Sequence, residues 1–280
     1  MSEDPHHPGG PGGVGAESLG AFAADTAVVL VWLGLAVAYL LAGRAAALRG
    51  RTGWPPRRTA AWLTGCGLGL VATGGPVAEA ATGSLTAHMA VHLVLGMLVP
   101  LLLVLGAPAT ALLRAVPARV GRGYTGLARS APFRLAAHPV VAALFVTVPV
   151  ATLYRDPAGL ALLHSPVAGP VLHVHFVVAG TLFAYAVVGV DPNPHRAGVR
   201  LRGAVIAGTI AVHAVVAKHL YAVADRGPWP ADTEQAAQLM YYGGDAVHVL
   251  LLWVFCTQVY REGGRRLRRP APSSATGRPV

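Results

Sequence analysis

The chain has 280 residues, of which 54% are hydrophobic and only 12% charged, about half the roughly 25% charged share of an ordinary soluble domain. So few charges cannot cover a soluble surface, and so much apolar content excludes a disordered chain. Two cysteines and no Cys-x-x-Cys pair exclude a disulfide-built scaffold, while the net charge of +10 raises the question of nucleic acid.

Seven apolar segments follow one another along the chain, at 24–48, 59–74, 85–105, 135–154, 167–190, 203–223 and 236–260. A helix needs about 20 apolar residues to cross the hydrocarbon of a bilayer. The sequence therefore predicts an all-α integral membrane protein, a bundle of seven transmembrane helices spanning residues 21–262. The second segment is short and carries Gly65, Gly67 and Gly69, a pattern suited to close helix packing. Pro100 is expected to kink the third. Residues 1–20 read as a disordered tail rich in Gly and Pro, with no basic leader of the signal-peptide kind. Residues 263–280 read as a basic disordered tail.

The basic residues explain themselves by position. The loops after the first, third and fifth segments, together with the C-terminal tail, hold 19 of the 22 Lys and Arg residues. The other side holds Arg155, Lys218 and Arg226. By the positive-inside rule the N-terminus is outside and the C-terminus cytoplasmic. The charge is then a topological signal and an anchor on anionic membrane lipid, and needs no nucleic-acid partner. The expected location is the bacterial plasma membrane.

Ionisable groups at membrane depth are costly and by default mark a functional site. Here they are mostly histidines. With these orientations His92, His175, His213 and Asp245 lie roughly 12–14 Å below the outer boundary at 1.5 Å per residue. Four helices thus bring a polar side chain to one layer. His248 lies a turn deeper, and His88, His173 and His219 shallower. His88 and His92 share a helix face at i, i+4, as Asp245 and His248 do at i, i+3. His173 and His175 are about 200° apart on a helix, so only one can face a common site; His175 is chosen because its depth matches. His213 is chosen over His219 for the same reason. His138, before Pro139, reads as a helix-start residue, and Cys66 and Cys256, in the inner half, as packing thiols.

Neutral imidazole is the commonest biological metal ligand, and imidazole with thioether suits copper, above all Cu(I). The expected ligands are His88, His92, His175 and His213, with Asp245 and His248 as ligands or as partners that orient them. Met89, His173, His219 and Met240 form an expected access path. No Gly-x-Ser-x-Gly or His-Glu-x-x-His run points to a hydrolase, and no enzymatic activity is expected. A retinal protein is excluded because the only lysine, Lys218, is near the end of the sixth segment. A b-type haem protein, a proton-coupled transporter and a metal-free scaffold remain open alternatives at this point.

The run Thr86-Ala87-His88-Met89-Ala90-Val91-His92, followed by Pro100-Leu101-Leu102-Leu103-Val104-Leu105-Gly106-Ala107-Pro108, resembles the membrane-type cytochrome c oxidase assembly factor CtaG family. His138-Pro139, Leu153-Tyr154, His173-Val174-His175-Phe176 with Gly180, and Gly189-Val190-Asp191-Pro192 strengthen the resemblance. His213-Ala214 and the stretch Glu234-Gln235, Met240 and Gly244-Asp245 complete it, over roughly residues 24–260. Four positions depart from the family pattern: Glu234-Gln235 stands for Asp-Gln, Ala236-Ala237 for Gly-Gly, and Tyr241 for Trp. The resemblance implies a seven-helix membrane protein concerned with maturing the copper centres of haem–copper oxidases. It further implies copper held or delivered on the outer face, with an oxidase subunit and a copper donor as partners; some relatives serve copper import or homeostasis instead.

Overall fold

The computed structural model describes the backbone of residues 13–163, 165 and 168–267. Among these residues there are helices and connections but no strands. In chain order the helices are α1 Gly13–Leu48, α2 Pro56–Thr73, α3 Gly75–Gly83, α4 Leu85–Leu93, α5 Val99–Leu105, α6 Pro108–Ala115, α7 Ala118–Arg129, α8 Ala131–Ala136, α9 Pro139–Leu153, α10 Pro157–Leu163, α11 Ala168–Val188, α12 Val199–Val223 and α13 Thr233–Leu267. A π-helical turn, Val94–Leu98, joins α4 to α5.

Among the described residues, five stretches are long and apolar enough to cross a membrane: Thr26–Leu48, Leu85–Ala115, Ala168–Val188, Val199–Val223 and Thr233–Gly264. Two further pairs pass the same test together but are bent: α2 with α3 by 53°, and α9 with α10 by 115°. The number of spans is seven only if each bent pair is one span. The expected second and fourth segments, 59–74 and 135–154, correspond to α2 and α9, and each bend falls at or just past the segment's end. Proline starts the second half of each pair, as Pro76 and Pro157 in the first turn of α3 and α10, where its missing N–H is harmless and its fixed φ suits a fresh helix start. The helix α1 begins at Gly13 and α13 runs to Leu267, so parts of both segments expected as tails are helical. The rest of those tails, residues 1–12 and 268–280, lies outside the described residues.

The column formed by α4, the π turn and α5 runs through the middle of the bundle. Pro100 removes a backbone donor, and the wider turn just before it absorbs the defect, a usual place for a π bulge. The carbonyl of Gly96 then faces Gly180 of α11, and a methyl group at position 180 would collide with it. Small residues permit such close approach between membrane helices. On the other side, Gly65 packs against Leu102 and Leu103, and Gly69 lies under the Trp32 ring. Gly67 of the same series faces open space.

Aromatic side chains fasten α1 to this frame. Tyr39 stacks on Trp62 with ring centroids 5.0 Å apart, and its hydroxyl donates to the Gly106 carbonyl at 2.7 Å. The Trp32 indole N–H donates to Thr73 Oγ1 at 3.0 Å. Most other large side chains of α1, such as Leu30, Val31 and Leu41, are exposed on its far face, as befits a helix with lipid on one side.

Two connections at the arginine-rich end are built by motif residues. The left-handed Ala107, φ 53°, turns the chain from α5 into α6. Asp191 caps the new helix: Oδ2 accepts from Ala109 N at 3.1 Å, and Oδ1 from Thr110 N at 2.7 Å and Thr110 Oγ1 at 2.6 Å. Arg202, expected in a solvated loop, is instead fully buried inside α12. It donates to the Val187 carbonyl at 2.9 Å, one of the orphan acceptors at the end of α11. Glu262 lies 3.9 Å from its other amine.

Candidate functional site

At the opposite end, α4 carries His88 and His92 one turn apart, both buried. The start of this helix is fixed from two directions. Ser84 caps it, accepting from Ala87 N at 3.2 Å and donating to Asp232 Oδ2 at 2.7 Å. Asp232 Oδ2 also accepts from Thr86 N at 2.8 Å. Asp232 immediately precedes α13, so one carboxylate ties the helix bearing His88 and His92 to the helix bearing His248. Burial pushes the Asp232 carboxyl up, but the hydrogen bonds from Thr86 and Ser84 outweigh this and leave it below its ordinary value.

Tyr154, fully buried at the end of α9, stands between the two histidines. Its hydroxyl lies 2.9 Å from His88 Nε2, and its ring is 5.7 Å from that of His92. The ring of His173, from α11, is 6.0 Å from that of His88. On the far side of His92, the rings of His213 from α12 and His248 from α13 meet edge to face at 5.2 Å. His213 can reach this position because Gly244 has no side chain; a methyl group there would strike the imidazole.

Among the described residues, four ring nitrogens are buried without a hydrogen-bond partner: His92 Nδ1, His173 Nε2, His213 Nε2 and His248 Nδ1. Buried polar atoms without partners are rare and each asks for an explanation. Three of these histidines, His92, His213 and His248, line one cavity of about 50 Å³ together with Met97, Phe176 and Thr209. His88 and His173 line a separate groove of about 640 Å³, walled by apolar residues of α1, α4 and α11. Among the described residues, no three His, Cys, Asp or Glu side chains stand close enough in this conformation to hold one ion together.

The expected residues are therefore distributed differently from a single shell. His175, preferred on depth, lies on the α9 side, with its Nε2 donating to the Phe145 carbonyl at 3.0 Å; it is His173 that reaches His88. A helix pitch fixes that only one of the pair can face inward, and packing decides which. His219 is exposed, with its Nε2 donating to the Arg155 carbonyl at 3.1 Å. Met89 and Met240 are buried in the apolar core with Tyr154 and Phe176 and line neither cavity. Asp245, half-buried, also lines neither. Cys66 is buried and Cys256 exposed, and His138 starts α9 as expected. Tyr154 and Asp232 were not anticipated as site residues. Tyr154 carried a signal, a hydroxyl at the end of an apolar segment level with the histidines; Asp232, in a loop, carried none.

The profile described as cytochrome c oxidase caa3 assembly factor, Caa3_CtaG, matches residues 37–262. Uncharacterized proteins of Mycobacterium bovis and Mycobacterium tuberculosis are each 36% identical over 171 residues, 58% of this chain and 25% of theirs. An uncharacterized protein of Mycobacterium leprae is 35% identical over 152 residues, 51% of this chain and 23% of its own. The match thus spans about a quarter of the length of these relatives. No solved structure matches the chain.

Proposed function

The chain belongs to the cytochrome c oxidase caa3 assembly factor family, and we propose that it serves oxidase assembly by holding copper among the buried histidines and passing it on. It is a multi-pass protein of the bacterial plasma membrane. The proposed cargo is Cu(I), on the outer side of that membrane, for a haem–copper oxidase subunit that receives it from this protein.

One observation carries the reading. His92, His213 and His248 come from three helices, line one small cavity, and each presents a buried nitrogen without a hydrogen-bond partner. An imidazole kept only for packing would be satisfied by a neighbour, since an unpaired polar group in an apolar setting costs free energy. A ligand that arrives later accounts for nitrogens left open. Rings bound to one ion at angles near 110–120°, with nitrogens about 2 Å from the metal, have centres about 5 Å apart. The spacing of His213 and His248 is 5.2 Å, so these two can share an ion, and His92 would have to move to join them. Met97, on the same wall, adds a thioether, and neutral nitrogen and sulfur donors favour Cu(I) over harder cations. About 50 Å³ has room for an ion or a water, and none for a porphyrin.

The arginine distribution supports an outward-facing site, because the histidines lie at the end of the bundle away from the basic loops. The family description supports the oxidase as client. The reading assigns the protein a carrier's role with no chemical conversion.

The test is metal analysis of the detergent-purified protein with a visible spectrum. Copper bound by the wild type, with the cavity's ion lost in His213→Leu/His248→Leu, is the expected result. A Soret band, or a protein that restores oxidase activity in deficient cells while binding no copper, would overturn it. In those cells the oxidase should lack copper while total cell copper stays normal; a fall in total copper would point to import instead.

A further inference from the structure

At the end of the bundle away from the histidines, the corner where α1, α2 and α6 meet gathers Arg49, Arg51, Arg58 and Arg114 around a small cavity. We propose that this corner binds the phosphate headgroup of an anionic phospholipid. The proposal does not depend on copper.

The corner is built without a ligand. Gly50 and Gly53, at φ 70° and 78°, turn the chain between α1 and α2 in a conformation that glycine adopts without strain. Two arginines then clasp the turn to α6 from opposite directions. Arg49 donates to the Ala115 carbonyl, and Arg114 Nη2 donates to the carbonyls of Arg51 and Thr52 at 2.8 and 2.7 Å. Both the Arg58 and the Arg114 guanidinium lie against the Trp54 ring, 5.0 and 5.4 Å from its centre. The cavity, about 140 Å³, is lined by Arg51, Trp54 and Arg114 and by the small residues Gly43, Ala46 and Ala111. A water takes about 30 Å³ of liquid, so there is room for a phosphate group.

The charge here is uncompensated. Among the described residues the ion pairs are those of Arg196 and Arg202 with Glu262, and none includes an arginine of this corner. Asp191, at the same end, is committed to Ala109 and Thr110. Two guanidinium groups against one ring repel each other, and Arg114 Nε is buried with no hydrogen-bond partner. An anion from outside the chain answers both, and guanidinium suits phosphate above other anions. Basic pockets between membrane helices at the cytoplasmic side take lipid headgroups, and the positive-inside rule assigns this end to that side.

The surroundings favour a lipid over free phosphate. Leu48 and Leu112, next in sequence to the cavity residues Ala47 and Ala111, are both exposed, so apolar surface borders the arginines. Beyond α6, α7 is amphipathic: its exposed Val120 and Leu127 lie on the side opposite Arg122 and Arg129. Such a helix lies in the plane of the membrane interface. This end of the bundle thus meets the bilayer at headgroup depth, where phosphate arrives with acyl chains attached.

The experiment loads the purified full-length protein in detergent with phosphatidylglycerol or phosphatidylcholine and counts the retained lipid by native mass spectrometry. A thermal-shift titration with each lipid, and with inorganic phosphate, measures affinity. The wild type should keep one phosphatidylglycerol and no phosphatidylcholine, and inorganic phosphate should give no shift at the same concentration. Arg51→Gln/Arg58→Gln removes two arginines whose side chains make no hydrogen bond among the described residues. It should bind phosphatidylglycerol roughly 25-fold more weakly, about fivefold for each arginine, with an unfolding temperature near that of the wild type without lipid. Arg119→Gln/Arg122→Gln takes the same charge from α7 and should still retain the lipid. Equal weakening by both pairs would mean diffuse surface charge. Equal retention of phosphatidylcholine would mean that headgroup charge is not read, and a shift with inorganic phosphate matching that of the lipid would mean a free-anion site. Each of these three results overturns the proposal.

Discussion

The hydroxyl of Tyr154 meets Nε2 of His88 at 2.9 Å, and both residues are buried. The bond crosses from α9 to α4, so the orientation of a histidine depends on a phenol from a separate helix. Replacing Tyr154 with Phe keeps the ring that packs on His88 and His92 and deletes only the hydroxyl. The loss of one partner from a buried pair costs about 1–3 kcal/mol. If His88 binds copper, loss of an orienting partner lowers metal affinity by roughly 10–100-fold. Thermal unfolding and a Cu(I) competition titration of Tyr154→Phe measure the two effects separately. Unchanged affinity with lowered stability would make this tyrosine a structural brace alone.

A packing histidine and a ligand histidine respond oppositely to removal. His213→Leu takes away a buried nitrogen that has no hydrogen-bond partner and leaves a side chain of similar bulk. The metal-free variant should unfold at the same temperature as the wild type or slightly higher, because an unsatisfied polar group has gone. Added Cu(I) should raise the unfolding temperature of the wild type by mass action and raise that of the variant less. A marked drop in the metal-free variant would mean that His213 is held by contacts its geometry does not reveal. Gly244→Ala tests the same ring from the other side, since the methyl group displaces His213 without altering any ligand.

These two sites also separate what a linear sequence discloses from what it hides. Helical class, apolar segments and the gathering of histidines follow from composition and the 1.5 Å rise, which act along the chain. Depth alone favoured His175, yet the bundle turns His173 inward and gives His175 to the Phe145 carbonyl. Rotation about a helix axis is set by neighbours, here by Gly180 against Gly96. The apolar run 135–154 ends where α9 does, and the 115° break to α10 lies just beyond it; hydropathy does not record the direction in which the chain continues. The Met89 and Met240 side chains read as soft donors because thioethers are, but such chains also fill cores, and these two do.

The Asp232 carboxylate predicts a pH dependence at the loop before α13. Its desolvation raises the carboxyl pKa, and the Thr86 and Ser84 donors more than offset this, so the folded value lies below the unfolded one. A group depressed in the folded state stabilises above its unfolded pKa, about 3.9, and that contribution is lost as pH falls through the folded value. The wild type should therefore keep this contribution at pH 6 and lose it toward pH 3. Asp232→Asn should be less stable at pH 6 and show a flatter decline below pH 4. Unfolding temperatures of both proteins across that range decide the matter; parallel curves would deny Asp232 the role.

Asp191 predicts a purely structural defect at the far end, and so serves as a control for the site variants. Its two oxygens take three donors from Ala109 and Thr110, which satisfies the first turn of α6 and joins the α5–α6 corner to the chain leaving α11. Asp191→Ala leaves those donors without that acceptor and removes a charge from the favourable end of a helix. Loss of a capping side chain costs about 0.5–2 kcal/mol, and a carboxylate making three bonds belongs at the upper end of that range. Asp191→Asn, which keeps one acceptor oxygen, should recover part of the loss. Neither change touches a histidine, so Cu(I) stoichiometry of the folded protein should equal that of the wild type. A lowered stoichiometry in folded Asp191→Ala would show that the two ends of the bundle are coupled through the central column.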